Sequence, residues 1–142
     1  MPDYVFITEA DPSGVAQIAA LYRDAGWWAD ASDHPETIGE IITGSHCFLA
    51  AMSQGEFVGM GRAISDGVSD AYIQDITVRA DRRGQGIARD IVRNLVTKLH
   101  ADGLHWIALI AERDTHALYR ELGFAEMPNS TPLLLLDDSD AL

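Results

Sequence analysis

AYIQDITVRADRRGQGIARDIVRNLVTKLHADGLHWIALIA, residues 71–111, decides how the chain is read. Positions 71–78 are rich in β-branched residues and read as a strand. After the glycines at 84 and 86, Ile87, Ala88, Ile91, Val92, Leu95, Val96 and Leu99 recur at helical spacing, while Arg89, Asp90, Arg93, Asn94 and Lys98 form the opposite face. That pattern predicts an amphipathic helix lying on a sheet and ended by Gly103. Positions 106–111 return to strand character. Strand, glycine turn, helix and strand in this order predict a right-handed crossover that joins parallel strands.

Towards the N-terminus, positions 4–8 alternate around Val5 and Ile7 as a first strand. Asp11, Pro12 and Ser13 make a helix start, and Val15, Ile18, Ala19, Tyr22 and Ala25 follow at helical spacing. A loop over 27–34 leads to Pro35, which suits the first turn of a second helix with Ile38, Ile41 and Ile42 on one side, ended by Gly44. Apolar runs at 47–52 and 57–64 flank Gln54-Gly55 as a hairpin, and Asp66-Gly67 turns the chain into the strand at 71–78. Towards the C-terminus, Asp114 or Thr115 is expected to cap a last helix with Ala117, Leu118 and Leu122 inward, and 124–127 and 132–136 are expected as closing strands. The prediction is one mixed α/β domain over 1–136 with six or seven strands and four helices, followed by a frayed acidic tail at 137–142.

Charge narrows the function. The 142 residues carry 22 acidic and 10 basic side chains, a formal net charge of −12. Such a surface repels phosphate backbones and anionic lipid, which disfavours general nucleic-acid and membrane-surface binding. No apolar run approaches the roughly 18 residues of a membrane span, and the first residues lack a signal-peptide pattern, so a soluble cytoplasmic chain is the expectation. Cys47, the one cysteine, excludes an internal disulfide and reads as a buried small hydrophobe. His34, His46, His100, His105 and His116 show no ligand spacing, and no metal is expected. The basic residues are concentrated: Arg79, Arg82, Arg83, Arg89, Arg93 and Lys98, opposed only by Asp81 and Asp90, make the window 79–98 net +4 and leave −16 for the rest. An acidic body with one basic segment points to a local anion site. The alternative for Arg89, Arg93 and Lys98 is an ordinary solvated helix face.

Arg83-Gly84-Gln85-Gly86-Ile87-Ala88 supplies that site by physical argument. Glycines between strand and helix permit positive φ and close approach of a ligand to the backbone, and the helix N-terminus presents N–H groups and a positive dipole. The segment is not a P-loop, since GxxxxGK followed by Ser or Thr is absent, and it lacks the third glycine of the dinucleotide fingerprint. The alternative is a turn that uses glycine for geometry alone.

Residues 72–92, YIQDITVRADRRGQGIARDIV, resemble the central motif of the GNAT superfamily of N-acetyltransferases, Gln or Arg, two residues, Gly, one residue, then Gly or Ala, which Arg83, Gly86 and Ala88 satisfy. Residues 117–124, ALYRELGF, resemble the family's second marker, a helix written roughly AxxFYxxLGF. The predicted order of elements fits the family over nearly the whole chain. The resemblance implies a mostly antiparallel GNAT-like sheet and acetyl-CoA as acyl donor. It implies that the backbone of Ile76, Thr77 and Val78, on a bulged strand that splays from its neighbour, receives the pantetheine, and that amides of Arg83, Gly84, Gln85, Gly86, Ile87 and Ala88 hold the pyrophosphate. Tyr119 matches the family tyrosine that assists the departing sulfur; its alternative is a core aromatic. Asp114 stands where many relatives carry a CoA-contacting Asn, and a carboxylate there suits capping better than cofactor contact.

Direct attack on a thioester needs a neutral amine and therefore a proton acceptor. Asp75, mid-strand among Ile73, Ile76 and Val78, is the candidate base; a buried Asp that only hydrogen-bonds backbone is its alternative, and Glu112 is a second candidate. Strand alternation puts Gln74 and Asp75 on opposite faces. Trp27 and Trp28 form an aromatic wall at the acceptor site or pack in the core. The implied activity is transfer of an acetyl group to a primary amine, favoured as a cation by the acidic body, with a non-catalytic CoA-sensing or protein-binding module as the rival reading. The apolar run at 133–136 would suit homodimer pairing.

Overall fold

In the computed structural model, which describes residues 1–28 and 35–137, the chain forms two compact units, Met1–Leu109 and Ile110–Leu142. The first holds β1 (Asp3–Ile7), α1 (Pro12–Asp24), α2 (Pro35–Gly44), β2 (Cys47–Ser53), β3 (Glu56–Ser65), β4 (Asp70–Val78), a single 3-10 turn at Ala80–Arg82, α3 (Ile87–Ala101) and β5 (Trp106–Leu109). The second holds α4 (His116–Glu121).

Local chemistry sets the boundaries. Asp11 accepts the Gly14 N–H at 2.8 Å and Pro12 opens the first turn of α1, as the sequence predicts. Gln54 and Gly55 both have positive φ, the geometry of a two-residue hairpin turn whose twist matches its strands. The expected loop over 27–34 lies outside the described residues from position 29 to 34, and the expected tail does so from 138.

The strands lie in the order β1-β2-β3-β4-β5, antiparallel except for β4 and β5, which run parallel over Asp70↔Trp106 to Ile73↔Leu109. Helices cover both faces of this sheet. Ile18, Leu21 and Tyr22 of α1 cluster with Ile38 and Ile42 of α2, Phe48 of β2 and Met60 of β3. On the other face α3 packs against β2, β3 and β4 and buries Ile87, Ile91, Val92, Leu95 and Leu99. Burial on two sides explains why Cys47 to Ala51 is buried without a break where a half-exposed strand would alternate.

Close approach of α3 depends on Gly61. A Cβ there would lie 2.4 Å from Ile76 Cδ1 and 2.8 Å from Ile91 Cγ2. Gly61→Ala is therefore expected to lower stability by about 1–3 kcal/mol through overpacking, read as a lower denaturant midpoint. An unchanged midpoint would show that α3 can move off the sheet without cost.

Among the described residues the sheet has five strands, not the six or seven expected. Neither 124–127 nor 132–136 enters a ladder. Pro128 and Pro132 each remove a backbone donor, and Leu133, Leu134, Leu135 and Leu136 are 57–94% exposed. An apolar run forms a strand only where a partner covers it. The last helix meets the expectation in part: Leu118 and Leu122 are half-buried, but Tyr119 is its buried residue and Ala117 is exposed. Thr115 stands at its N-cap position without a side-chain cap bond, and Asp114 precedes it with φ +60°, so the capping role expected of Asp114 is not made.

Candidate active site

Between β4 and α3 the backbone is shaped by two left-handed glycines. Gly84 has φ +77° and Gly86 has φ +83°; Gly86 is the N-cap residue of α3 and no side chain caps the helix. The first helical bond is Asp90 N–H to the Gly86 carbonyl at 3.1 Å, so the amides of Ile87 and Ala88 precede the start of the intrahelical ladder. A Cβ at Gly84 or Gly86 would meet no atom within 4 Å. The turn is thus open on the side a ligand would approach, and its glycines serve both geometry and access. Residues 83–88 fit a diphosphate: donors without a side-chain cap, a helix dipole and a clear approach.

The basic window is divided by its partners. Arg79 is ion-paired with Asp81 and Glu56, Arg93 with Asp90, and Lys98 with Asp102. Arg82 and Arg83 instead each give an Nε–H to a neutral acceptor, Gln85 Oε1 at 3.3 Å and the Val78 carbonyl at 3.0 Å. Their positive charge stays at the turn. The Tyr4 hydroxyl donates to Asp90 at 2.9 Å and ties β1 to the start of α3; burial and that carboxylate push its phenol up to about 12.

The strand that leads into the turn is irregular at the position the resemblance implies. Thr77 pairs with Met60 and Gln74 with Arg62, so Asp75 and Ile76 together face Gly61. Pairing with β5 ends at Ile73, before this bulge. The Arg79 N–H donates to Val58, and by antiparallel alternation Thr77 turns its backbone groups to β3 while Val78 turns its own away, where the carbonyl meets Arg83.

Asp75 has φ +60°, a conformation that costs a non-glycine residue about 1–2 kcal/mol. Its Oδ2 accepts the Tyr22 hydroxyl at 2.7 Å and Arg62 Nε at 2.6 Å. Arg62 also donates to Ser45 Oγ at 3.3 Å and Gln74 Oε1 at 3.5 Å. Tyr22 is 3% exposed, stacks on Trp28 at 4.6 Å and meets Trp27 edge-on at 6.0 Å. Burial, then the Asp75 carboxylate, pushes the Tyr22 phenol far above its ordinary range, so it donates. Both tryptophans pack against the α1–α2 core, and Trp28 also lines an apolar cavity of about 590 Å³ with Val15, Ala19 and Pro35.

In the second unit Tyr119 is 8% exposed, with Phe124 edge-on to its ring at 5.9 Å. Burial, then the Glu112 carboxylate, raises its phenol. Asp114 and Arg113 lie in a left-handed stretch just before α4. Cys47 is buried and its thiol is pushed up to about 11 by burial, which fits an inert core residue. His46 pairs with Asp102 at 2.8 Å, and no cluster of three metal-ligating residues occurs among the described residues.

Tyr22, Ser45, Gly61 and Arg62 stand at or behind the bulge and were not singled out as site residues from the sequence. A signal existed: Gly59-Met60-Gly61-Arg62 puts two glycines and a charge in an apolar strand.

Comparison with known proteins agrees with this geometry. The model of the Acetyltransferase (GNAT) family matches residues 9–124. Serotonin N-acetyltransferase 2, chloroplastic, of Oryza sativa subsp. japonica is 38% identical over 81 residues, covering 57% of this chain and 40% of that protein. The chain thus spans under half the length of that curated relative. A GNAT family acetyltransferase from Streptococcus pneumoniae superposes with a TM-score of 0.76 at 20% identity, over 97% of this chain and 99% of that one. A protein from Clostridium acetobutylicum solved with acetyl-CoA gives 0.70 at 16% identity, over 94% and 96%. The solved structures establish a shared fold, and the match over most of the sequence establishes the kinship: this chain belongs to the GNAT acetyltransferase family.

Proposed function

We propose that the protein transfers an acetyl group from acetyl-CoA to a primary amine by direct attack in a ternary complex. The observation that carries this reading is the continuity of a bulged β4, running past the end of its pairing with β5, with the glycine-lined, uncapped N-terminus of α3. A diphosphate at the amides of residues 83–88 leaves the pantetheine arm directed along β4, where backbone groups of Ile76 and Val78 receive it and polarise the thioester carbonyl. Thr77 keeps its backbone bonds to β3. Arg82 and Arg83 add long-range attraction for the phosphates. Acetyl-CoA supplies an activated acyl group and a thiol leaving group near pKa ~8.5. Tyr119, held neutral, donates the proton that thiolate needs. Asp114, where many relatives of the resembled family carry a CoA-contacting Asn, is a further candidate for cofactor contact.

The acceptor reading rests on charge. Outside 79–98 the chain carries a formal −16, a field that attracts cationic amines and repels carboxylates. Calorimetric titration with acetyl-CoA, followed by thiol release with spermidine, tyramine and, as a carboxylate-bearing primary amine, glutamate, tests both parts. Saturable binding and amine-dependent thiol release are expected, with kcat/KM for the cationic acceptors falling as salt rises from about 0.01 to 0.15 M, over which the Debye length shrinks from about 30 to 8 Å. Binding without thiol release from any amine would instead favour a CoA-sensing module, and salt-independent kcat/KM would leave the acidic surface no part in acceptor capture.

A further inference from the structure

We propose that Asp75 is a positioning residue, whose carboxylate, gripped by Tyr22 and Arg62, fixes the left-handed step of the β4 bulge and through it the aim of the backbone at residues 76–78. The inference rests on the acetyl-transfer reading and assigns a role to the polar network around Asp75. Three features point to a clamp. Both strong donors converge on the same oxygen, Oδ2, at 2.6 and 2.7 Å. The arginine that grips it is itself tied to Ser45, at the end of α2, and to Gln74, so one carboxylate links α1, β3, β4 and the α2–β2 junction. And the residue so gripped is the one whose backbone departs from strand geometry, while its neighbour Ile76 faces the α3 side against Gly61. A strained backbone step persists only where its surroundings over-determine it.

Both donors hold Oδ2 and leave Oδ1 outside the clamp, so the clamp uses one oxygen and a base would work from the other. A clamp requires only an acceptor at position 75, which an amide oxygen also supplies, whereas a base requires the carboxylate. Trp28 stacked on Tyr22 and Trp27 edge-on to it, both partly buried, pack the ring whose hydroxyl makes the clamp.

Asn and Ala at position 75 separate the roles. Asn tolerates positive φ and its carbonyl accepts from Arg62 and Tyr22, but it cannot serve as a base; Ala can do none of these. On the full chain, amide hydrogen exchange of Thr77 and Arg79, the residues after the bulge that turn their backbone groups to β3, is measured without ligand, and kcat and acetyl-CoA KM are measured by thiol release with spermidine and tyramine. For D75N the expected result is exchange within about threefold of the parent and kcat within about fivefold. For D75A exchange is expected to quicken at least tenfold and kcat to fall at least fiftyfold, with KM changed less than threefold. Y22F, which keeps the ring and removes one donor, is expected between the two. Loss of turnover in D75N equal to that in D75A, with exchange unchanged in both, would overturn the clamp and make Asp75 the base. Absence of thiol release from the parent chain would count against acetyl transfer, while the exchange rates would still decide the clamp.

Discussion

Tyr119→Phe is expected to lower kcat by on the order of 10²-fold while leaving acetyl-CoA affinity within about twofold, the mark of an interaction made when the sulfur departs. Phe keeps the buried ring and its edge contact with Phe124, so the fold loses little. The pH dependence follows from the direction of the shift. Burial and the Glu112 carboxylate both disfavour the phenolate, which places the Tyr119 titration above the ordinary phenol value near 10. The protonated acid is therefore present throughout the neutral and mildly alkaline range, and its ionisation can reduce kcat only above about pH 10. Stopped-flow thiol release from pH 6 to 10 checks this. An alkaline decline centred at or below pH 9 that disappears in the variant would contradict the raised pKa, and an unaltered kcat would remove the acid role.

Gly86→Val is expected to weaken acetyl-CoA binding by about 10²-fold. Two effects add. The left-handed backbone at φ +83° costs a side-chain-bearing residue about 1–2 kcal/mol, more where the side chain is β-branched, so the turn shifts toward another conformation. The new side chain also points into space free of protein atoms within 4 Å, which is where a diphosphate would approach the amides of Ile87 and Ala88. Titration calorimetry measures the loss. Affinity equal to that of the parent chain would mean that this turn does not bind the cofactor, whatever else the protein does.

The glycine cradle was legible because its signals are local. Glycine tolerance of positive φ, the start of an apolar period at Ile87 and two adjacent arginines are read from neighbouring residues, and the structure puts Gly84 and Gly86 in the left-handed region at the head of α3. The hairpin at Gln54-Gly55 and the helix start at Asp11-Pro12 were legible for the same reason. Closing strands at 124–127 and 132–136 were not, because apolar content signals a strand only if another element covers it, and the four leucines at 133–136 are exposed. The buried side of α4 was legible only in part, at Leu118 and Leu122 but not Tyr119, because six residues give too few turns for a period to stand out.

Asp75 shows the division most sharply. Residue type and spacing along the chain are enough to read the β-α-β core, the glycine turn and a carboxylate near it. What that carboxylate touches follows from packing instead. Tyr22 lies 53 positions away on α1 and Arg62 13 positions away on β3, and neither distance carries a local signal. They meet Asp75 because packing of α1 on the sheet and a one-residue shift in the β3–β4 register place three side chains on one face. A register shift is an energetic compromise over the whole sheet, so its consequences for hydrogen bonding can be read only once the strands are paired.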